Sequence, residues 1–345
     1  MEMKTSFASD NNSGVHPAIM EAIIRANSGH CPAYGDDEWT ILLQKAFSMV
    51  FERKVAVLPV FNGTGANVVA LSSMLKSFEG VLCADSSHIW QDECGAPDHF
   101  SGSRLLPLTH QNGKLNTESF SPYLHCEGFV HHVQPRVLSI TQSTEWGTLY
   151  SLNELRELRE YAKARKWFLH MDGARFANAV AALNCRPGEL VDGFDALSFG
   201  GTKNGLMLGE AVIFFNPELV EAAQYLRKQA MQLNSKMRFV SAQLLAYLQN
   251  DLWLENARKA NESAKYLYEQ LKTIDELELI GQVFTNALFV RIPEKLNEYL
   301  HQADYLFYVW EHEDNTVRFM TAFDTTKEAI DRFIQAIKTG LSEII

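Results

Sequence analysis

A chain of 345 residues, 46% of them hydrophobic, with 20 glycines and 10 prolines, is long enough to bury one large core and a smaller one, and its composition excludes a disordered chain. Its 31 basic and 42 acidic residues leave a net charge of -11, which argues against a phosphate-tracking nucleic-acid surface and against attraction to anionic membranes; a small-molecule partner is expected. Five scattered cysteines (Cys31, Cys83, Cys94, Cys126, Cys185) contain no C-x-x-C pair, so neither a disulfide framework nor a cysteine zinc site is expected, in keeping with a reducing cytoplasm.

Residues 1–10 carry no apolar leader core, and no run approaches the roughly 18 apolar residues of a membrane span. From residue 15 to residue 215, short β-branched or aromatic runs alternate with helical stretches, the rhythm of βα units feeding a mostly parallel sheet. Strands are predicted at 55–61, 80–84, 136–141, 167–171, 195–199 and 211–215, and most end in Gly, Asp, Ser or Asn. After Asn216-Pro217 a nearly unbroken helical pattern runs through Tyr225, Leu226, Met237, Leu244 and Leu248 to Leu271. The remainder reads strand (277–281), strand (287–292), helix (294–301), strand (306–310), strand (317–320), helix (325–343), a small α+β unit. The expected organisation is a large domain over 1–250 and a small one over 251–345, with segment 1–14 packing against the latter.

In open α/β sheets ligands collect beyond the carboxyl ends of the strands, and four such ends carry polar residues of interest. The turn Phe61-Asn62-Gly63-Thr64-Gly65-Ala66-Asn67 leads from strand to helix and points backbone N–H groups at an anion. Val68 occupies the third glycine position of a dinucleotide fingerprint, so a Rossmann reading is a poor match. His88 and Glu93 follow the strand that ends near Ala84. Asp172 ends the apolar run from Trp167, with Arg175 in the next turn; it is either a helix N-cap or the carboxylate partner of a protonated ring nitrogen. Lys203 stands in Gly200-Gly201-Thr202-Lys203-Asn204-Gly205. It is not a Walker A lysine, since Asn204 follows it and no glycine precedes it directly; it is either a surface lysine in a glycine-rich turn or an amine poised for imine formation. His125, His131 and His132 lack helical metal spacing or a matching carboxylate, and no metal is expected.

The segments HMDGARFANA (170–179) and DALSFGGTKNG (195–205) together resemble the aspartate and lysine segments of the low-specificity threonine aldolases, in the beta-eliminating lyase family of fold type I pyridoxal 5'-phosphate (PLP) enzymes. Matching features run from Ser9 to Arg318. The resemblance implies an aspartate-aminotransferase-like α/β fold, PLP as cofactor, Lys203 as the Schiff-base lysine and Asp172 on the pyridine nitrogen. It implies a phosphate cradle of Gly63, Thr64 and Gly65, with Arg238 reaching the phosphate from the same or a neighbouring subunit. His88 would stack on the ring and handle the substrate hydroxyl proton, with Glu93 as an accessory acid-base group. Arg175 would lie near the cofactor oxygen or the substrate carboxylate, which Arg318 and Ser9 would grip; Tyr34 and Gln142 would face the substrate. The lysine segment GTKNG departs from the more common SKGLG and, with Thr141-Gln142-Ser143-Thr144-Glu145-Trp146-Gly147-Thr148, is similar to a bacterial subgroup, which leaves substrate preference open.

The implied activity is cleavage of threonine or allo-threonine to glycine and an aldehyde, by a homodimer or homotetramer in the cytoplasm. Another PLP-dependent lyase or aminotransferase of the same fold is the alternative, and a non-catalytic binding protein is a second class.

Overall fold

The computed structural model describes residues 4–344. Expectations for residues 1–3 and 345 lie outside the described residues. Seven strands form the main sheet: β1 (Ala56–Val60), β2 (Glu79–Ala84), β3 (Arg104–Leu108), β4 (Gln134–Thr141), β5 (Phe168–Gly173), β6 (Ala196–Phe199) and β7 (Glu210–Phe214), in the order β1-β7-β6-β5-β4-β2-β3. Only the pairings of β7 with β1 and β6 are antiparallel. Six of these strands fall within one or two residues of their predicted limits. The exception is β3, whose run Arg-Leu-Leu-Pro-Leu contains Pro107; as an edge strand paired to β2 alone, it tolerates a residue that cannot donate to the ladder.

Side chains alternate between two faces, each covered by helices. Leu82, Leu138, Leu169, Met171, Leu197, Ile213 and the helix Met237–Leu248 build one core. Val81, Val137, Ala196, Val212 and Phe214 build the other against the helix Gly63–Met74, which is buried on nearly every side. The helical stretch after Asn216 is broken twice, between Gln229 and Met237 and again at Asn250 and Asp251, which take left-handed backbone.

Four antiparallel strands, β8 (Glu278–Ile280), β9 (Ala287–Arg291), β10 (Tyr308–Glu311) and β11 (Thr316–Met320), pair in the order β10-β11-β9-β8. They pack with the helices Glu294–Gln302 and Lys327–Ile344 around Phe289's neighbours Leu288 and Val290, and around Phe319 and Phe333. Phe7 belongs to this core: its backbone accepts from Met320 and donates to Leu306, which ties the N-terminal segment to the small sheet. The helix Leu252–Leu271 gives Trp253 and Ala257 to the large core and Leu267 and Leu271 to the small one. We propose that the division into units 1–250 and 251–345 is made at the start of this helix, which the two share. Among the described residues no helix is long and apolar enough to cross a membrane.

Candidate active site

Register places three strand ends level: Thr141 on β4 pairs with Asp172 on β5, which pairs with Ser198 on β6. Asp172 is buried, and its carboxylate accepts from Ala174 N at 3.0 Å and from Asn67 Nδ2 at 2.9 Å. The same Asn67 nitrogen donates to Glu93 Oε1 at 2.8 Å, and that oxygen lies 3.0 Å from His88 Nδ1. A continuous chain, His88–Glu93–Asn67–Asp172, therefore links three of the predicted site residues through one that the motif search passed over. With a carboxylate on Nδ1, that nitrogen is the donor and Nε2 keeps the free lone pair. The Glu93 hydrogen bond, aided by Asp172, holds the His88 pKa above its ordinary value against burial and the charge of Lys203.

Lys203 emerges from a short turn beyond β6. Gly200 makes the turn possible: its N–H donates to Gly173 O at 2.9 Å, and a Cβ on it would stand 2.2 Å from the Ala174 carbonyl oxygen. Burial, and then Arg175, pull the Lys203 amine below its ordinary pKa, against Asp10, Asp172 and Glu210. An amine so shifted is a better nucleophile near neutral pH. Glu210, on β7, accepts from the backbone N–H groups of Gly201 and Thr202 and so fixes the lysine turn; burial pushes its carboxyl up to about 7.

A second cluster is cationic. Arg175 makes a bidentate pair with buried Asp10 (Nε to Oδ2 2.7 Å, Nη2 to Oδ1 2.9 Å), and Asn286 also donates to Asp10. Burial pushes the Asp10 carboxyl up, but Arg175 and Lys203 outweigh it and hold the pKa low. Arg318 lies over the Trp310 ring at 4.6 Å and donates to Ala8 O at 3.3 Å, while its Nε is buried without a partner among the described residues. Burial, then Arg175, lower its pKa to about 10. Ser9 caps the turn Asp10–Asn12 by accepting from Asn11 N, which leaves its hydroxyl proton free to donate.

Three expected contacts are not made within this chain. Gln142 is fully buried, and both ends of its amide bond the Tyr150 backbone (2.9 and 3.0 Å), so that it braces the loop after β4. The Arg238 guanidinium is turned away from the glycine turn, onto the carbonyls of Ser28 and Gly29 and the Cys31 sulfur. Tyr34 is half exposed beneath Lys228.

Sequence reading missed Asn67, Asp10, Glu145 and Glu210. Glu145 is buried and accepts from His88 N and Thr141 Oγ1, both at 2.9 Å; burial raises its pKa. The available signal was a lone polar residue, Asn67, inside the apolar run Ala66-Asn67-Val68-Val69. His170, two residues before Asp172, is a packed neutral imidazole between Ser139 and Ser198, with its pKa lowered by burial to about 4.

The donor set fits a phosphorylated heteroaromatic aldehyde. Asn62 caps Gly65 N at 2.7 Å, so the helix Gly63–Met74 begins at a glycine turn, and the space beside Gly63 is open to 4 Å. Glu93 Oε2, Asn67 Oδ1, Glu145 Oε2 and Arg318 Nε are buried polar atoms with no partner among the described residues, as expected where a polar group docks.

A match to the beta-eliminating lyase family covers residues 6–295. The chain belongs to that family. It is 41% identical over 344 residues (99% of each chain) to the low specificity L-threonine aldolase of a Pseudomonas species. The solved threonine aldolase of Leishmania major superposes with a TM-score of 0.92 at 28% identity, covering 97% of this chain and 98% of that one. The aspartate aminotransferase of Thermus thermophilus shares the fold alone, with a TM-score of 0.73 at 15% identity over 98% of this chain and 92% of that one.

Proposed function

We propose that this lyase is a PLP-dependent aldolase that cleaves threonine, allo-threonine and related β-hydroxy-α-amino acids to glycine and an aldehyde. The observation that carries the reading is the His88–Glu93–Asn67–Asp172 chain beside the amine of Lys203. PLP, when bound, supplies an aldehyde for that amine and an electron-accepting ring. Asp172 would hold the ring nitrogen in its protonated form, the turn Gly63-Thr64-Gly65 would receive the phosphate on the N–H groups of Gly63 and Thr64, with Gly65 N held by the Asn62 cap, and His88 would cover the ring.

Scission of the Cα–Cβ bond needs that bond held perpendicular to the ring, and the free edge of Arg318, with Ser9, suits the grip on the substrate carboxylate that sets this orientation. Arg175, its Nε and Nη2 held by Asp10, is fixed in the same region, where it would offer Nη1 as a further donor. His88 Nε2 is the base for the β-hydroxyl proton; Glu93 raises its basicity and fixes its tautomer. Glu145, accepting from the His88 backbone N–H and from Thr141 Oγ1, would hold the backbone that presents His88.

A homodimer or homotetramer in the cytoplasm belongs to the same reading. Its supports are the free state of all five cysteines and the exposed Ile24, Met49, Tyr225 and Met231, which suit a covered face. Arg238 and Tyr34 would then serve a neighbouring subunit's site.

The test is acetaldehyde release from L-threonine and L-allo-threonine by the PLP-loaded protein. Activity with either, abolished with the visible cofactor band in Lys203→Ala, is expected; no acetaldehyde from either, or pyruvate and ammonia from serine instead, overturns the aldolase reading.

A further inference from the structure

At the far end of β4 from the catalytic cluster, His125, Cys126 and His132 each bring one ligand atom to within 4.8 Å of the others. We propose that these three side chains bind one zinc-class cation, with water in the fourth position. The three residues precede β4, whose other end, about 23 Å along the strand, pairs with Asp172, so a cation here would clamp the loop that feeds this strand.

The chemistry selects the class of ion. One thiolate and two imidazoles are the ligands of zinc and its borderline neighbours, whereas calcium and magnesium take oxygen. Cys126 Sγ and His125 Nε2 are 3.6 Å apart. An edge of roughly 3.5 Å joins sulfur and nitrogen in a tetrahedron with bonds of about 2.3 and 2.0 Å. The rings of His125 and His132 cross at 86° with centroids 5.3 Å apart, and all three ligand atoms lie within 4.8 Å of one another, so side-chain rotation of the exposed His125 and the half-buried His132 would bring them onto one ion.

Two further observations point the same way. His132 Nδ1 is shielded from solvent and has no hydrogen-bond partner among the described residues. The loop is also pre-organised by one side chain: the two Gln134 Nε2 protons are shared among the carbonyls of Cys126 (2.9 Å), Phe129 (3.1 Å) and His132 (2.9 Å), and Gln134 Oε1 accepts from Gly128 N (2.8 Å). Two of the three ligand-bearing residues are thus tied to the same amide, which lowers the entropy lost on binding. Cys126 adjoins His125 in sequence, and the folded-back loop brings His132 to within reach of both, a juxtaposition that neither helical nor C-x-x-C spacing signals. Binding releases the Cys126 thiol proton to solvent, so affinity rises with pH.

The experiment uses tag-free holoenzyme, stripped with a chelator and titrated with cobalt chloride and then zinc sulfate. One cobalt per chain, with the visible bands of four-coordinate cobalt that zinc abolishes, is expected. His125→Ala, which changes an exposed side chain, should weaken binding at least about tenfold, and Cys126→Ser at least about a hundredfold, with the far-ultraviolet circular dichroism of His125→Ala unchanged. Absence of the cobalt bands, or binding that persists unaltered in His125→Ala, as ions held at exposed Cys31 or Cys94 would give, overturns the proposal.

Discussion

Asn67→Ala tests whether the hydrogen-bonded chain is a working unit. One Nδ2 nitrogen supplies a bond of 2.8 Å to Glu93 and one of 2.9 Å to Asp172, in a residue only 2% exposed, where water cannot take over. A hydrogen bond to a charged acceptor contributes about 1.5–3 kcal/mol. Each carboxylate keeps one other donor, Ala174 N for Asp172 and His88 for Glu93, so the lower figure applies to both and the loss is about 3 kcal/mol. Expressed wholly in the transition state that is roughly 150-fold in kcat/KM. Expressed wholly in stability it is a fall of about 4 °C in Tm for a chain of this size. The expected outcome is a tenfold to hundredfold loss of kcat/KM for threonine cleavage with a small fall in Tm, since both partners act on the reacting groups. The assay is initial-rate acetaldehyde production at saturating PLP, beside a thermal melt. A variant within about threefold of the parent rate, with an unchanged pH profile, would show that Asp172 and His88 are positioned independently, and the argument from the chain would fail.

Three other outcomes can be checked. As the proposed base, His88 would work only when neutral, so activity should rise with pH through its raised pKa; Glu93→Gln removes the hydrogen-bonded carboxylate that raises it and should move this acid limb to lower pH while reducing kcat, and a limb that stays in place refutes the pairing. Arg318→Ala should raise KM for threonine about tenfold to a hundredfold with a smaller effect on kcat, read from Michaelis curves; an unchanged KM would place the carboxylate elsewhere. Gly200→Ala drives a Cβ to 2.2 Å from the Ala174 carbonyl oxygen, backbone that cannot yield, and should cost at least about 3 kcal/mol and weaken cofactor retention; a Tm within about one degree of the parent would refute the close approach.

The sites that local sequence marked are those whose chemistry is written in a single turn. Lys203, Asp172 and His88 each stand at or just beyond the end of an apolar strand, so the strand end and the residue type together mark them as candidates. Alternation of apolar runs likewise announced the parallel sheet, because a strand covered on both faces must be apolar along its whole length. Pro107 concealed β3, since a proline argues against a central strand and chain order alone cannot say that this strand would lie on the edge.

What the tertiary structure decided is partnership. Asn67 meets Asp172 across 105 residues, His88 meets Glu145 across 57, and Arg175 meets Asp10 across 165; none of these pairs has a spacing that a helix or strand would repeat. Gln142, read as facing the substrate, bonds both ends of its amide to the Tyr150 backbone in a fully buried position. Local sequence determines which groups can do chemistry, through their type and the turn that presents them. Burial in the folded sheet determines which are charged, which are engaged and which are left free to act, because a pKa or an unpaired polar atom is a property of surroundings that only the closed chain creates.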